Sequence, residues 1–203
     1  MKKTFGLTFL MVLALSTVSF ASPATDFDPG QMTLDVAFGS TSLTPSGNAK
    51  LDGQTSMGIG LTGGLGNNFA LQYKNNNFKS DYAVGGNPAL KAQEFNLLYK
   101  LTDGVSAFAG ATYANFAGNS NTSGAQFGLT GTVKVADNTH LYGILATGNN
   151  INSYEIGAGY TIAKNTELNI SYRDAKYKGL DFGAGNSGDV TAKGLSYGIS
   201  YKF

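Results

Sequence analysis

Large apolar side chains recur at every second position along much of the chain. The last ten residues show the pattern most plainly: Leu195, Tyr197, Ile199, Tyr201 and Phe203 alternate with Gly194, Ser196, Gly198, Ser200 and Lys202. Extended backbone points successive side chains to opposite faces, so such a run makes a ribbon with one apolar face and one small or polar face. The same alternation is clear at Phe69-Tyr73, Phe95-Leu101 and Tyr154-Ile162. With the weaker segments included, it predicts ten strands near 31-40, 54-63, 68-76, 91-101, 105-114, 124-135, 139-147, 152-162, 166-177 and 190-203. Tight Gly-, Asn- and Asp-bearing turns ("GLG", "TDG", "ADN", "AKN") alternate with longer polar stretches at 41-53, 77-90, 115-123 and 178-189. The short "GNNI" at 148-151 is the exception. The expected product is an antiparallel meander with one short-turned end and one loop-rich end.

Hairpin pairing can be anticipated because partners about a central residue have numbers of constant sum. A turn centred on Lys164 pairs Ile162 with Thr166, Tyr160 with Leu168, Ala158 with Ile170 and Ile156 with Tyr172. A turn centred on Leu65 opposes Leu61 to Phe69, Ile59 to Leu71 and Met57 to Tyr73. One centred on Asp103 opposes Leu101 to Val105 and Leu97 to Ala109. In each case apolar faces coincide.

The opposite face carries Gly58, Gly60, Gly110, Thr112, Gly128, Thr130, Gly157, Gly159, Ser171 and Gly198. So small a face suits a confined interior better than a water-exposed surface. Aromatic residues near strand ends, among them Phe69, Tyr99, Tyr113, Tyr160, Tyr172 and Phe203, suit an interfacial girdle. The fold class is therefore all-β, a closed antiparallel transmembrane β-barrel of ten strands. Eight is the alternative count, reached by demoting 139-147 and a neighbour, and a secreted β-sandwich is the competing architecture. Ten strands enclose a cylinder of about 10 Å radius, which inward side chains largely fill, so no wide diffusion channel is expected. The last strand must close on Met32 to Phe38, because an open edge in lipid leaves backbone groups unpaired.

Composition narrows the chemistry. The chain of 203 residues has a formal charge of +1, 28 glycines, 13 Phe, 11 Tyr, no Cys and only 13% charged residues. Near-neutrality gives no basis for a nucleic-acid partner, and the missing cysteines exclude disulfides and thiolate chemistry. Lys2 and Lys3, the apolar run from Phe5 to Val18 and Ser19-Phe20-Ala21 read as a signal peptide over 1-21, leaving a domain at 22-203.

With its ten alternating segments and its terminal Phe203, the chain resembles the small Gram-negative outer-membrane β-barrels of the outer membrane protein A and X, opacity-protein and small-porin group. The resemblance implies outer-membrane localisation, outer-membrane lipid as a partner, a periplasmic short-turned end and extracellular loops. It also implies that Tyr197, Ile199, Tyr201 and Phe203 form the signal read by the outer-membrane assembly machinery.

With the apolar face outward, Asp35, Lys74, Glu94, Lys100, Lys134, Glu155, Glu167 and Arg173 project inward. Glu155 and Arg173 share the constant sum of their hairpin, and Lys74 and Glu94 lie at similar heights on consecutive strands. These four are the candidate lumen ion pairs, either as packing or as a gate. The chain's one histidine, His140, follows a tight turn and makes a poor general base for chemistry at the far rim. Gly58, Gly60 and Gly63 match a dinucleotide fingerprint, but along a strand with no following helix. Asp81, Asp181 and Asp189 are too scattered for a calcium loop. The sequence thus points to no catalytic, cofactor or metal site. It suggests a scaffold or adhesin-like protein with surface loops for a host or surface ligand; the alternative is a narrow channel for ions or very small solutes.

Overall fold

The computed structural model describes residues 23-47, 50-80 and 89-203. The signal segment expected at 1-21 and the loop residue Asp81 lie outside the described residues.

Eleven strands form one sheet: β1 Met32–Ser40, β2 Ser42–Pro45, β3 Gly53–Gly66, β4 Phe69–Ser80, β5 Ala89–Thr102, β6 Val105–Phe116, β7 Thr122–Ala136, β8 Thr139–Gly148, β9 Ile151–Ala163, β10 Thr166–Gly183 and β11 Asn186–Lys202. From β3 onward each strand pairs antiparallel with its successor. β1 pairs with both β3 and β11, which closes the cylinder. β2 is not an eleventh stave, because it continues β1 along β11 in the same register: Gly39 faces Ser196 and Ser42 faces Lys193. At the interruption, a Cβ on Gly53 would meet the Thr41 backbone at 2.6–2.8 Å, so glycine permits the close approach. The barrel therefore has ten staves, and the eight-stranded alternative is set aside.

Two of the three anticipated hairpin registers appear. Tyr160 faces Leu168, Ala158 faces Ile170, Ile156 faces Tyr172, and Leu97 faces Ala109. Next to the turns a bulge shifts the last pair, so Thr166 faces Ala163 and Val105 faces Thr102. The β3–β4 hairpin corrects the expectation. Its turn is Asn67-Asn68, both residues at positive φ (51° and 67°), so Leu61 faces Tyr73 instead of Phe69. Such a turn matches the right-handed twist of its strands. The displacement along β4 is even, so the expected faces survive.

The stretch 178-189 is also corrected, from loop to ribbon. β10 runs to Gly183 and β11 starts at Asn186, joined by Ala184-Gly185, with an irregularity between Tyr177 and Leu180. That irregularity hides the alternation in sequence, yet Leu180 and Val190 are fully buried.

Outside, the apolar face carries paired rings. Near the short turns Phe69 lies 4.9 Å from Tyr99 and Tyr201 lies 4.9 Å from Phe203, by ring centroids. Towards the opposite end lie Tyr73–Phe95 at 4.7 Å and Tyr154–Tyr172 at 6.3 Å.

Candidate functional site in the barrel lumen

Inward positions fill the cylinder in three storeys. The waist is polar: Asp35, Lys74, Glu94, Glu155, Glu167 and Arg173 are all buried. Arg173 donates from Nη2 to Glu94 Oε1 at 2.8 Å and to the Tyr177 hydroxyl at 3.4 Å. Gln126 donates from Nε2 to Asn96 Oδ1 at 2.7 Å and to Glu94 Oε2 at 3.4 Å. Asn96 donates in turn to Gln72 at 3.3 Å, and the Ser171 hydroxyl to Glu155 Oε1 at 3.0 Å. Each link satisfies a polar group that burial would otherwise penalise.

The four candidate ion-pair residues all lie in this waist. Lys74 faces Glu94 across β4 and β5, and Arg173 faces Glu155 across β10 and β9. The Arg173–Glu94 contact adds a link from β10 to β5 across the interior, which pairing within a hairpin does not reveal. Lys100 and Lys134 sit apart from the waist, bridging Asp103 at 3.0 Å and Asp137 at 3.4 Å at the turn end. His140 lies inside near that end, its Nε2 3.4 Å from Glu167 Oε2.

Above the waist the lumen is mainly apolar, with Asn76 and Ser80 the buried polar positions of β4 at that level, which corrects the expectation of a polar interior throughout. Leu43, Phe78, Leu90, Ile151, Tyr177 and Val190 form the centre of an apolar cluster. The rings of Phe78 and Tyr177 lie 6.4 Å apart, and Phe116 packs on Phe182 at 5.2 Å.

Below the waist the segment before β1 folds into the mouth of the barrel. Ala24 and Phe27 are buried among Ala70, Leu98, Phe108 and Tyr142. The Phe27 carbonyl accepts from the Gly66 N–H at 2.9 Å, and the Gln31 carbonyl from the Gly64 N–H at 2.8 Å. A Cβ on Gly64 would lie 2.7 Å from the Phe27 carbonyl carbon, so only glycine admits this strap. Sequence reasoning missed it. The available signal was Phe27, a lone aromatic in the polar "ATDFDPG".

At the far rim Asp181 and Asp189 act as fasteners. Asp181 Oδ1 accepts from the Gly183 N–H at 2.7 Å and Oδ2 from the Ser120 N–H at 3.2 Å. Asp189 Oδ2 pairs with Lys176 Nζ at 2.9 Å, and Oδ1 accepts from the Gly179 N–H at 3.1 Å. These donors hold both carboxyls below the usual aspartate value of 3.8, led by the Gly183 N–H for Asp181 and by Lys176 for Asp189. No group of three His, Cys, Asp or Glu suited to a metal occurs among the described residues.

At the C-terminus Tyr197 faces Phe38, Ile199 faces Val36 and Tyr201 faces Leu34, and the Phe203 N–H donates to the Met32 carbonyl at 2.9 Å. Gly58, Gly60 and Gly63 lie within β3, in a strand as expected.

Among solved structures the chain is similar to the outer membrane protease OmpT from Escherichia coli, at 12% identity over 92% of this chain and 99% of that one, with a TM-score of 0.54. Neisserial surface protein A matches at 16% identity, 86% and 97% coverage and a TM-score of 0.48. Ail, the attachment invasion locus protein of Yersinia pestis, matches at 12% identity, 86% and 99% coverage and a TM-score of 0.44. Identities this low speak only to fold. No curated protein sequence matches. Residues 8–203 match the family model described as the outer membrane protein beta-barrel domain. With its ten-stave cylinder, greasy outside and filled inside, the chain belongs to that family and resides in the outer membrane.

Proposed function

We propose that the protein is a non-enzymatic scaffold that does not conduct and whose extracellular end engages a host or surface ligand in the manner of an adhesin. The observation that carries this reading is the filled lumen. Phe78, Leu90, Tyr177, Leu180 and Val190 are at most 1% exposed inside the outer end, and Phe27 packs inside the periplasmic mouth. A route for solute would have to displace both, as well as the hydrogen-bonded waist. In this reading Lys74, Glu94, Glu155 and Arg173 are packing, not a gate. The position of His140 near the periplasmic turns agrees with an extracellular rim that does no general-base chemistry.

The test is a planar bilayer. Refolded protein is expected to give no stable unitary steps, whereas steps reproducible with voltage would replace this reading with a narrow pore for ions or very small solutes. Shortening the 179-188 tip is expected to abolish surface binding while leaving heat-modifiable gel migration intact. Two further parts of the proposal concern biogenesis. Residues 1-21 are removed as a signal peptide, and Tyr197, Ile199, Tyr201 and Phe203 are read by the assembly machinery, so deleting Phe203 should lower the outer-membrane yield.

A further inference from the structure

Burial along the segment before β1 deepens towards its start. Asp28 and Asp26 are exposed, Thr25 is half-buried, and Ala24 and Pro23 are buried. The Phe27 carbonyl is held at the mouth by the Gly66 N–H, while Ala24 belongs to a cluster that runs up the inner wall through Tyr142 and Ile144 to Ala146. Ala146 lies seven residues beyond Thr139, the turn-side end of β8. At about 3.3 Å per residue and a tilt of about 40°, the cluster reaches roughly 18 Å into the barrel. The start of the strap therefore points inward, towards the waist.

The lumen restricts what can precede Pro23. Above the cluster Leu43, Phe78, Leu90, Tyr177, Leu180 and Val190, each at most 1% exposed, pack the bore, and below it Phe27 occupies the mouth. A chain that continues for 21 residues before Ser22 has to displace one or the other. A chain that begins at Ser22 adds one small residue and an α-amino group. The waist favours such a group, because its four buried acids, Asp35, Glu94, Glu155 and Glu167, outnumber its two buried bases, Lys74 and Arg173. Glu155 faces Ile144 across β8 and β9, on the level of the cluster that holds Ala24. Asp35 is 5% exposed, and its Oδ1 has no hydrogen-bond partner among the described residues. A segment that folds in with the barrel reaches such an oxygen without a path from solvent.

We propose that the lumen is the receiving site for the protein's own new N-terminus, an inference that rests on removal of residues 1-21 as a signal peptide. Hydrolysis of the Ala21–Ser22 bond by a signal peptidase consumes one water and leaves a carboxylate on Ala21 and an ammonium on Ser22. The strap carries that ammonium in under the waist, where the acids, Glu155 and Asp35 foremost, receive it. The peptide nitrogen of the uncleaved chain is neutral and makes no such pair. The periplasmic mouth thus closes on the processed chain and stays open on the precursor.

The test begins with protein extracted from the outer membrane in detergent. Its intact mass fixes where the chain starts, and a start other than Ser22 overturns the cleavage reading and this site with it. With a Ser22 start, brief treatment with an amine-acetylating reagent is read by peptide mass spectrometry, with the exposed Lys91 as reference. The Ser22 amine should react about tenfold more slowly in the folded barrel than in the urea-unfolded chain, the size of one hydrogen bond to a charged group. Equal rates overturn the site alone. A chain refolded with Ser22 already acetylated has lost the charge. It should migrate as a folded barrel yet exchange the Gly64 and Gly66 N–H groups, which hold the strap, about tenfold faster. Unchanged exchange overturns the pairing. If the acetylated chain fails to fold, the labelling rate alone decides.

Discussion

At the waist of the barrel Glu94, Gln126, Arg173 and Glu155 fill the lumen with groups that must hydrogen-bond, whereas just above them Phe78, Leu90, Tyr177 and Val190 fill it with groups that need only fit. Both storeys are buried and both lie inside the same ring of strands. They differ in what a single truncation leaves behind: an unpaired buried charge in one, a cavity in the other. Tyr177 joins them, its ring in the apolar cluster and its hydroxyl accepting from Arg173. The comparison teaches that filling a barrel needs neither chemistry throughout. Polar groups suit the level where strands from opposite walls must be tied together, and apolar groups suit the level nearest external water, where their burial excludes it.

The sharpest way to break the comparison is Arg173→Ala. The buried ionisable side chains at the waist are four acids (Asp35, Glu94, Glu155, Glu167) and two bases (Lys74, Arg173), so this change removes one of its two basic groups. A loss of about 3–5 kcal/mol in urea unfolding is expected, as for other broken buried pairs. The double variant Glu94→Leu/Arg173→Met should recover most of that loss; if it is as unstable as the single variant, the cost lies in packing and the distinction fails. Next in size is Phe78→Ala, which leaves a void worth about 3 kcal/mol and should be rescued by no second polar change. Tyr177→Phe keeps the ring and removes the link between storeys, for a cost of about 1 kcal/mol. A larger drop would mean that the hydroxyl organises the waist.

The smallest expected effect is at the rim. Asp181 and Asp189 have depressed folded pKa values, so their contribution is present above the ordinary aspartate value of 3.8 and is lost as pH falls through the lower folded values. Hydrogen exchange at Ser120, Gly179 and Gly183 should therefore rise below about pH 4 while the waist stays protected. Simultaneous opening of both would show that rim and lumen unfold as one unit.

What the sequence made legible was what is local. Period-two alternation set the faces, and turn chemistry near Lys164 and Asp103 set two registers, because both act within a few residues. The β3–β4 register is ambiguous in sequence since "GLG" and the adjacent Asn67-Asn68 both read as turns, and only the second adopts paired positive φ. In sequence the 178-189 hairpin reads as loop because Lys178-Gly179 breaks the alternation between Tyr177 and Leu180. The candidate lumen residues were legible as inward positions, but which of them touch across the lumen was not. Glu94 and Arg173 are 79 residues apart and meet only because the sheet curls. The inserted Phe27 was invisible for the same reason, since nothing near it in sequence forms its pocket.

The hairpin beyond Tyr177 bears on how firmly any partner could be held. Residues 178-189 form a braced ribbon, tied to the neighbouring loop and to Ser46 by the hydrogen bonds of Asp181, Asp189 and Thr122. A free loop gives up about 1–2 kcal/mol of backbone entropy for every residue ordered at encounter. Here that freedom is already gone when the barrel folds, so a ligand landing on the ribbon meets a preorganised surface and keeps more of its contact energy as affinity.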